Sequence, residues 1–181
     1  MINTWKDFED TFNNVFGRIN TTSLASIDRN RLRIELGGEG DDSARVIQAI
    51  QRSNRILEYC FSGKDVWIRA ILWSEDEEAA LEMAGLSVRS ANKLFRQKKE
   101  DEEVLYLFFD RYTDSLGKVL TTSIINYEMA LEPSANITCY FINLKDQLII
   151  NIYDDRGMDI FSPNDDLIYA IGRQFSGWLL K

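Results

Sequence analysis

The stretch ITCYFINLKDQLIINIY, residues 137–153, decides the fold class of this protein. Two apolar runs, 137–143 and 147–153, are separated by the short polar connection 144–146, and this pattern indicates a β-hairpin. Neither run alternates apolar with polar residues, so each strand is expected to be buried on both faces. We therefore predict that the hairpin lies at the centre of a sheet.

Further strands are predicted before this hairpin. Apolar and charged residues alternate in LRIEL, residues 32–36, as in a half-buried strand, and VWIRAILW, residues 66–73, is rich in β-branched and aromatic residues. The block RQKKEDEE, residues 96–103, changes sign at its middle and is predicted to be a solvated loop that leads to a strand in VLYLFFDRY. The segment 114–133 is mixed in character, and no secondary structure is assigned to it.

Helices are predicted where a capping residue precedes apolar residues at three- and four-residue steps. Thr4 is the predicted cap of the first helix, and Ser74 with Glu77 forms an S-x-x-E capping box. Ser162, followed by Pro163 at the first helical position, is the predicted cap of the last helix. The predicted helices cover 4–16, 43–61, 75–84 and the segment that starts at 163.

The order of these elements indicates the fold class. Helix, strand, helix, strand and helix are followed by several strands and a final helix, which is not the regular alternation of a doubly wound parallel sheet. At 181 residues the chain is long enough to bury one core. The sequence therefore predicts a single α+β domain, residues 1–181, with a largely antiparallel central sheet and flanking helices.

Composition excludes several classes of function. The formal net charge is −8, from 29 acidic and 21 basic residues, which disfavours nucleic acid or an anionic membrane as partner and favours a basic partner. The alternative is that this moderate acidity only keeps the protein soluble. Histidine is absent, which excludes histidine bases and zinc sites built on imidazole. Two cysteines, an N-terminus without a signal-peptide pattern and no apolar run of about 18 residues indicate a cytoplasmic protein. We expect no metal and no cofactor, and a monomer or a weak dimer.

Two acidic segments are the candidate contacts for a basic partner. The first is the glycine-rich stretch GGEGDD, which lies where a phosphate-binding loop would lie but whose carboxylates would repel a phosphate. The second is the run EDEE after the strand at 66–73. The candidate residues are Glu39, Asp41, Asp42, Glu75, Asp76, Glu77 and Glu78. Between the two segments, the helix over 43–61 carries a polar stripe that is either a solvated face or a contact patch for acidic groups: Arg45, Gln48, Arg52 and Arg55.

The stretch YDDRGMD, residues 153–159, has three interpretations. As a turn, it would end a strand at Tyr153, use a positive φ at Gly157, and have its aspartates accept hydrogen bonds from turn amides or pair with Arg156. As a metal site, it would hold magnesium for phosphodiester hydrolysis, although Arg156 opposes a dense cation site. The carboxylates for such a site are Asp154, Asp155 and Asp159. As a recognition loop, it would contact a partner. The residue types favour the turn.

Several segments together carry a resemblance to a known family. They are LRIELG (32–37), IINYEMALEP (124–133), YFIN (140–143) and IYDDRGMDI (152–160), followed by a terminal helix that ends in WLL. From about residue 32 to the end, the chain resembles a family of uncharacterised bacterial proteins, domain-of-unknown-function family 3885. The resemblance supplies no enzymatic activity, cofactor or catalytic residue. It marks a signature turn that consists of Tyr153, Asp154, Asp155, Arg156, Gly157 and Asp159.

The resemblance also suggests a biological role. Small acidic proteins of such families often accompany bacterial polymorphic toxins, and this chain is similar in size and charge to immunity proteins of contact-dependent growth inhibition. Our leading hypothesis is therefore a non-enzymatic immunity protein that neutralises a cognate toxin domain, a basic nuclease, by occluding its active site. The alternatives are a magnesium-dependent phosphodiester hydrolase built on the three signature carboxylates, and an uncharacterised binding or scaffold domain.

Overall fold

One antiparallel sheet of seven strands forms the centre of the computed structural model, which describes residues 2–17, 24–27, 29–38, 40–99 and 102–180. The strands are β1 (Arg31–Glu35), β2 (Val66–Leu72), β3 (Lys93–Lys99), β4 (Glu102–Phe109), β5 (Ile137–Asn143), β6 (Leu148–Ile152) and β7 (Gly157–Phe161). Their order across the sheet is β1-β7-β6-β5-β2-β4-β3, and every neighbouring pair is antiparallel.

Helices cover both faces of this sheet. Within the described residues they are α1 (Trp5–Phe16), α2 (Asp42–Phe61), α3 (Glu77–Ala84), α4 (Asp114–Glu128) and α5 (Asp165–Gln174). The main core lies between the sheet and the helices α2, α3, α4 and α5, and a second, aromatic-rich core lies between the sheet and α1. The predicted α+β class with a largely antiparallel sheet is therefore confirmed. None of the described helices is both long and apolar enough to cross a membrane.

The predicted central hairpin is the pair β5 and β6. Cys139 lies opposite Ile152, and Asn143 lies opposite Leu148. Every residue of both strands is buried except Thr138. β2, which confirms the strand predicted at 66–73, pairs with β5 on the other side. Continuous apolar runs therefore form strands here because helices cover both faces of the sheet.

The first helix has the start that the sequence predicts. Thr4 Oγ1 accepts a hydrogen bond from the backbone N–H of Asp7 at 3.1 Å, and the Asp7 carboxylate accepts from the N–H of Thr4 at 2.9 Å. Its buried side chains recur at four-residue steps: Phe8, Phe12 and Phe16. The ring of Phe8 packs on Trp67 of β2 with centroids 4.6 Å apart. One short amphipathic helix thus fixes the aromatic core against the middle of the sheet.

The loop predicted over 96–103 is wrong, because this region forms the hairpin of β3 and β4. The sign change in RQKKEDEE arises from complementary charges on two paired strands: Lys98 lies opposite Glu103, and Arg96 bridges to the Glu103 carboxylate at 3.0 Å. Residues 100 and 101, between the strands, lie outside the described residues. Opposite charges across a strand pair stabilise a sheet edge, so the same pattern that indicates a solvated loop also suits an edge hairpin.

The segment left without a prediction contains α4. Thr113 caps it, since its Oγ1 accepts from the N–H of Leu116 at 3.2 Å. Leu116, Leu120 and Ile124 are buried at four-residue steps and face the main core. Gly117 and a run of β-branched residues lower the intrinsic helix propensity of this segment, so packing against the core must supply most of its stability.

Two predicted helix starts are wrong by about two residues. α3 begins at Glu77 after Asp76, and Ser74 does not cap it: the Ser74 hydroxyl instead donates to the Glu77 carboxylate at 3.1 Å. α5 is capped by Asn164, whose Oδ1 accepts from the N–H groups of residues 166 and 167. Ser162 lies just before this cap and accepts from the N–H of Asn164 at 3.1 Å. In both places the sequence offers more than one residue that could act as a cap.

The strand β7 pairs with β1 and was not among the predicted strands. Arg31 lies opposite Phe161, and Glu35 lies opposite Gly157. All five residues of β7 are buried. β1 itself confirms the strand predicted at 32–36, shifted by one residue. Among the strands of the described residues, this pairing joins the first to the last along one edge of the sheet.

Candidate functional site

The signature turn joins β6 to β7. Asp154 Oδ1 accepts hydrogen bonds from the backbone N–H groups of Arg156 at 2.7 Å and Gly157 at 3.3 Å. The other carboxylate oxygen of Asp154 accepts from Arg156 Nε at 2.7 Å. Asp154 is 4% exposed, whereas the Arg156 side chain is largely exposed. The predicted role of an aspartate as acceptor for turn amides and partner of Arg156 is therefore confirmed.

Gly157 does not have the predicted positive φ. It is the first residue of β7 and lies opposite Glu35 in extended backbone. A Cβ atom at this position would lie 2.8 Å from the main-chain oxygen of Ile34 and still closer to the hydroxyl of Tyr153. Glycine is needed here because the backbone of β1 and the Tyr153 ring approach closely, and not because of a left-handed turn.

Asp155 ties the signature turn to α2 and to the glycine-rich loop. Its carboxylate, buried to all but 4%, forms an ion pair with Arg45 in the first turns of α2. Its main-chain oxygen accepts from the N–H of Gly37 at 2.7 Å, and the oxygen of Arg156 accepts from the N–H of Leu36 at 2.9 Å. These bonds fix the loop after β1 against the turn after β6.

Asp159 points to the other face of the sheet. Its carboxylate is 1% exposed and accepts from Arg33 Nε at 3.0 Å, with Arg31 at 3.6 Å. The hydrogen bond and the negative charge of Asp159 raise the pKa of Arg33. The three signature carboxylates therefore engage arginines of three different segments and do not converge on one point. Within the described residues, no group of three or more His, Cys, Asp and Glu side chains could hold a metal ion.

Sequence reasoning missed the arginine partners of Asp155 and Asp159, although it predicted Arg156 as a partner in the turn. Arg31 and Arg33 alternate in RLRIE and so share one face of β1, which the sequence does indicate. Arg45 belongs to the polar stripe of α2, which was interpreted as a solvated face or a patch for acidic groups. In the structure much of this stripe is used within the fold, since Arg52 donates to the oxygen of Glu35 at 3.0 Å as well. Their acidic partners lie too far along the chain for a local pattern to reveal them.

Replacement of Asp155 by alanine is expected to lower the free energy of unfolding by about 1–3 kcal/mol, because Arg45 loses its buried partner. Urea denaturation followed by tryptophan fluorescence measures the loss. Asp42→Ala is the matched control, since the Asp42 carboxylate also lies near Arg45, at 3.8 Å, but is 81% exposed. Equal stability of the two variants would contradict the structural role of Asp155.

The first acidic segment lies at the start of α2. Asp41 is the N-cap, and its Oδ1 accepts from the N–H of Ala44 at 2.8 Å. Asp41 and Asp42 are both exposed. Glu39, the third candidate of this segment, lies outside the described residues. Negative charge is favourable at a helix N-terminus, so capping explains these residues without preventing a contact with a partner.

The second acidic segment divides into surface and interior residues. Glu75 and Asp76 are exposed. Glu77 is 9% exposed, and its second carboxylate oxygen accepts from the N–H of Asn136 at 2.7 Å. Glu78 forms a bidentate ion pair with Arg96 of β3, at 2.7 and 2.9 Å. The fold therefore uses Glu77 and Glu78, and leaves Glu75 and Asp76 at the surface.

Both acidic segments lie at the same end of the sheet. The ion pair of Arg45 with Asp155 places the start of α2 beside the β6–β7 turn. β5 begins at this end, since Cys139 near its start is opposite the last residue of β6. β2 ends there too, since Leu72 is opposite the first residue of β5. We call this region the acidic end and define it by four exposed carboxylates, those of Asp41, Asp42, Glu75 and Asp76. The exposed side chain of Arg156, in the β6–β7 turn, lies at the same end of the sheet.

Comparison with known proteins gives a family and no assigned activity. The model of a family described as "Domain of unknown function (DUF3885)" matches residues 8–181. This match includes most of α1 as well as the part of the chain from residue 32 onward that carries the resemblance in sequence. No curated protein and no solved structure matches the chain.

Proposed function

The chain belongs to the DUF3885 family, and we propose that it is a non-enzymatic binding protein that neutralises a basic protein domain. The observation that carries this proposal is the acidic end, where two segments that are distant in sequence place exposed carboxylates at the same end of the sheet. A surface that gathers like charge attracts a partner of opposite charge and raises the rate of association. The net charge of −8 also favours attraction of a basic partner.

The arrangement of the signature carboxylates favours a binding protein over a metal-dependent hydrolase. A two-metal or one-metal hydrolase needs carboxylates that converge on one cation. Each of the three carboxylates instead pairs with its own arginine: Asp154 with Arg156, Asp155 with Arg45, and Asp159 with Arg33. A cation would have to displace an arginine from each carboxylate in turn. The magnesium-dependent alternative therefore has no support from the arrangement of these residues.

The partner that fits best is a toxin domain with a basic active site, such as a nuclease. Such a domain lines its substrate cleft with Lys and Arg to bind phosphates. The acidic end of the immunity protein occupies that cleft and competes with the nucleic acid for the same basic residues. In this proposal the protein acts in the bacterial cytoplasm as an immunity protein and protects the cell that makes the toxin.

A growth-rescue assay tests the proposal. The C-terminal domain of the protein encoded immediately upstream is induced in a bacterial host with and without this chain. We expect the domain to stop growth, the chain to restore it, and the two to elute as one complex from a sizing column. If the upstream domain is toxic and this chain neither restores growth nor binds it, the proposed toxin–immunity pair is contradicted.

Neutral variants of the acidic end test its role in association. Asp41→Asn, Asp42→Asn, Glu75→Gln and Asp76→Asn are combined, since asparagine at position 41 keeps the helix cap. We expect the association rate constant to fall about tenfold at low salt, and the difference to shrink as salt screens the field. Surface plasmon resonance over a series of salt concentrations measures both effects.

The matched control removes the same charge elsewhere. Exposed acids on α1 and at the start of α5 are neutralised together: Glu9→Gln, Asp10→Asn, Asp165→Asn and Asp166→Asn. The start of α5 follows β7 at the opposite end of the sheet from the β6–β7 turn. Equal loss of association rate in both variants would indicate a general effect of net charge and would contradict a contact at the acidic end.

A further inference from the structure

Trp73 is the tryptophan whose ring the fold does not use. Within the described residues, no other ring stacks on it and no cation lies over it. It follows β2 directly and is 48% exposed. A single exposed apolar side chain needs no explanation, so the surroundings of this ring decide whether it has a role. The other three tryptophans each stack on a phenylalanine: Trp5 on Phe8, Trp67 on Phe95, and Trp178 on Phe175.

A hydrogen bond fixes the orientation of the Trp73 ring. Its Nε1–H donates to Thr138 Oγ1 at 3.1 Å, and Thr138 lies on β5 opposite Ile71. An aromatic ring that is held in place before binding loses little conformational entropy when a partner covers it. Tryptophan is also enriched among the residues that dominate binding energy in protein interfaces. The ring is therefore pre-organised for a contact.

Tyr153 lies on the other side of Thr138. The register of β5 and β6 pairs Cys139 with Ile152, and its continuation by one residue brings Tyr153 beside Thr138. Tyr153 is 36% exposed. The two aromatic side chains therefore flank one threonine at the end of the sheet. We call this surface the aromatic ledge and define it by Trp73, Thr138 and Tyr153.

The aromatic ledge lies on the face of the sheet that α1 covers, but at the other end. Tyr140, two residues from Thr138, belongs to the aromatic core under α1, and its partner Asn151 is two residues from Tyr153. Residues two apart in a strand share a face of the sheet. The rings of α1 contact β2 near its start and β7 at its last residue. The ledge therefore lies beyond these contacts, beside the acidic end.

Carboxylates border the ledge on two sides. Glu75 and Asp76 follow Trp73 in the chain and are exposed. Glu35, also exposed, ends β1 opposite the glycine over which the Tyr153 ring packs. In the part of the chain that the structure describes, none of these three carboxylates forms an ion pair. Their charge is therefore available to a basic partner.

Two arginines near Tyr153 already have acidic partners. The guanidinium carbon of Arg33 lies 5.9 Å from the centroid of the Tyr153 ring, and Arg33 Nε donates to Asp159 at 3.0 Å. Arg156 donates to Asp154 at 2.7 Å. Each of these positive charges is balanced by a neighbouring carboxylate, so they do not cancel the negative charge at the other side of the ledge.

We propose that the aromatic ledge anchors the basic partner, and that a lysine or arginine of the partner stacks on the Trp73 ring. This inference rests on the proposed function, to which it adds the contact that keeps the complex together. A cation is attracted to the face of an indole ring, and the carboxylates beside the ring favour the same charge. Exposed charges mainly set the rate of association, whereas covered aromatic anchors mainly set the rate of dissociation.

Binding kinetics of Trp73→Ala with the domain encoded immediately upstream test the proposal. We expect the dissociation rate constant to rise at least about tenfold, because a residue that dominates binding energy is removed. The association rate constant is expected to stay within about twofold of the parent, since no charge changes. This is the reverse of the result expected for the neutral variants of the acidic end, and surface plasmon resonance measures both rates.

Two further variants at position 73 separate the aromatic ring from bulk. Trp73→Phe keeps an aromatic face and is expected to recover most of the lost residence time, whereas Trp73→Leu keeps an apolar side chain without a ring and is expected to dissociate nearly as fast as the alanine variant. Urea denaturation establishes that each variant is folded. If the alanine variant is unfolded, the comparison of phenylalanine with leucine still tests the proposal.

Tyr169→Ala is the matched control, since Tyr169 is an exposed aromatic residue on α5, away from the acidic end. We expect it to dissociate at the parent rate. If the parent chain binds the upstream domain and the variants at position 73 dissociate no faster than this control, the aromatic ledge is not the anchor, although the proposed function stands. If the parent chain does not bind the domain, the proposed function fails and this inference fails with it.

Discussion

Replacement of Asp159 by alanine is expected to lower the free energy of unfolding by about 3–5 kcal/mol, the range found when one partner of a buried ion pair is removed. The Asp159 carboxylate is 1% exposed and accepts from Arg33 Nε at 3.0 Å, with Arg31 at 3.6 Å. Without it, two guanidinium groups on the same face of β1 lose their shared anion and repel each other. Urea denaturation followed by tryptophan fluorescence measures the loss.

Two further variants identify the cause of this loss. Asp159→Asn keeps the shape and one acceptor oxygen, so we expect a smaller loss than for alanine, and the difference reports the part that is due to charge. Asp166→Ala, an exposed residue at the start of α5, is the control and should change stability by less than about 1 kcal/mol. A loss at Asp159 no larger than at Asp166 would contradict the role of Asp159 as the buried anion between β1 and β7.

Replacement of Gly157 by alanine is expected to destabilise the protein by about 3 kcal/mol, at the upper end of the usual cost of overpacking. The added Cβ would lie 2.8 Å from the main-chain oxygen of Ile34, and a backbone atom of a paired strand cannot move aside without loss of the β1–β7 register. The Tyr153 ring, which packs over the same glycine, would be displaced as well. Thermal and urea denaturation of the variant measure the effect.

Gly177→Ala is the matched control for this substitution. A Cβ at Gly177 would have no neighbour within 4 Å, and the residue does not have a positive φ. We therefore expect its stability to stay within about 0.5 kcal/mol of the parent protein. If both alanine variants are equally stable, the close approach of β1 to the signature turn is not what requires glycine at position 157.

Local patterns in the sequence predicted the local parts of the fold. The hairpin of β5 and β6 has a short connection, and the capping box of Thr4 and Asp7 spans four residues, so both are visible in a short window. The pairing of β1 with β7 is not visible in this way, because Arg33 and Asp159 are 126 residues apart. The start of β7 was therefore interpreted as part of the turn over 153–159, and its pairing with β1 was not predicted.

At the candidate site, too, local contacts were predicted and contacts between distant segments were not. Residue types in a turn predict that aspartates accept hydrogen bonds from turn amides, and Asp154 does so from the N–H groups of Arg156 and Gly157. The partners of Asp155 and Asp159 were missed because other segments supply them. The sequence indicated that glycine matters at position 157, but the predicted reason, a positive φ, is wrong. A sequence shows that a glycine is present; it does not show whether the backbone torsion or the lack of space for a Cβ requires it. Glu77 was grouped with its acidic neighbours, and only the contact with Asn136 shows that it is buried.

The pairing of the first strand with the last also has a consequence for synthesis of the chain on the ribosome. β1 emerges early, but its partner β7 is translated only after about 126 further residues. At about 5–20 residues per second, β1 waits roughly 6–25 s before it can join the sheet. During this interval its main-chain N–H and C=O groups have no native strand to pair with. The edge of the sheet that carries the signature turn is therefore completed only after β7 has been translated, and a chain cut short before β7 cannot form it.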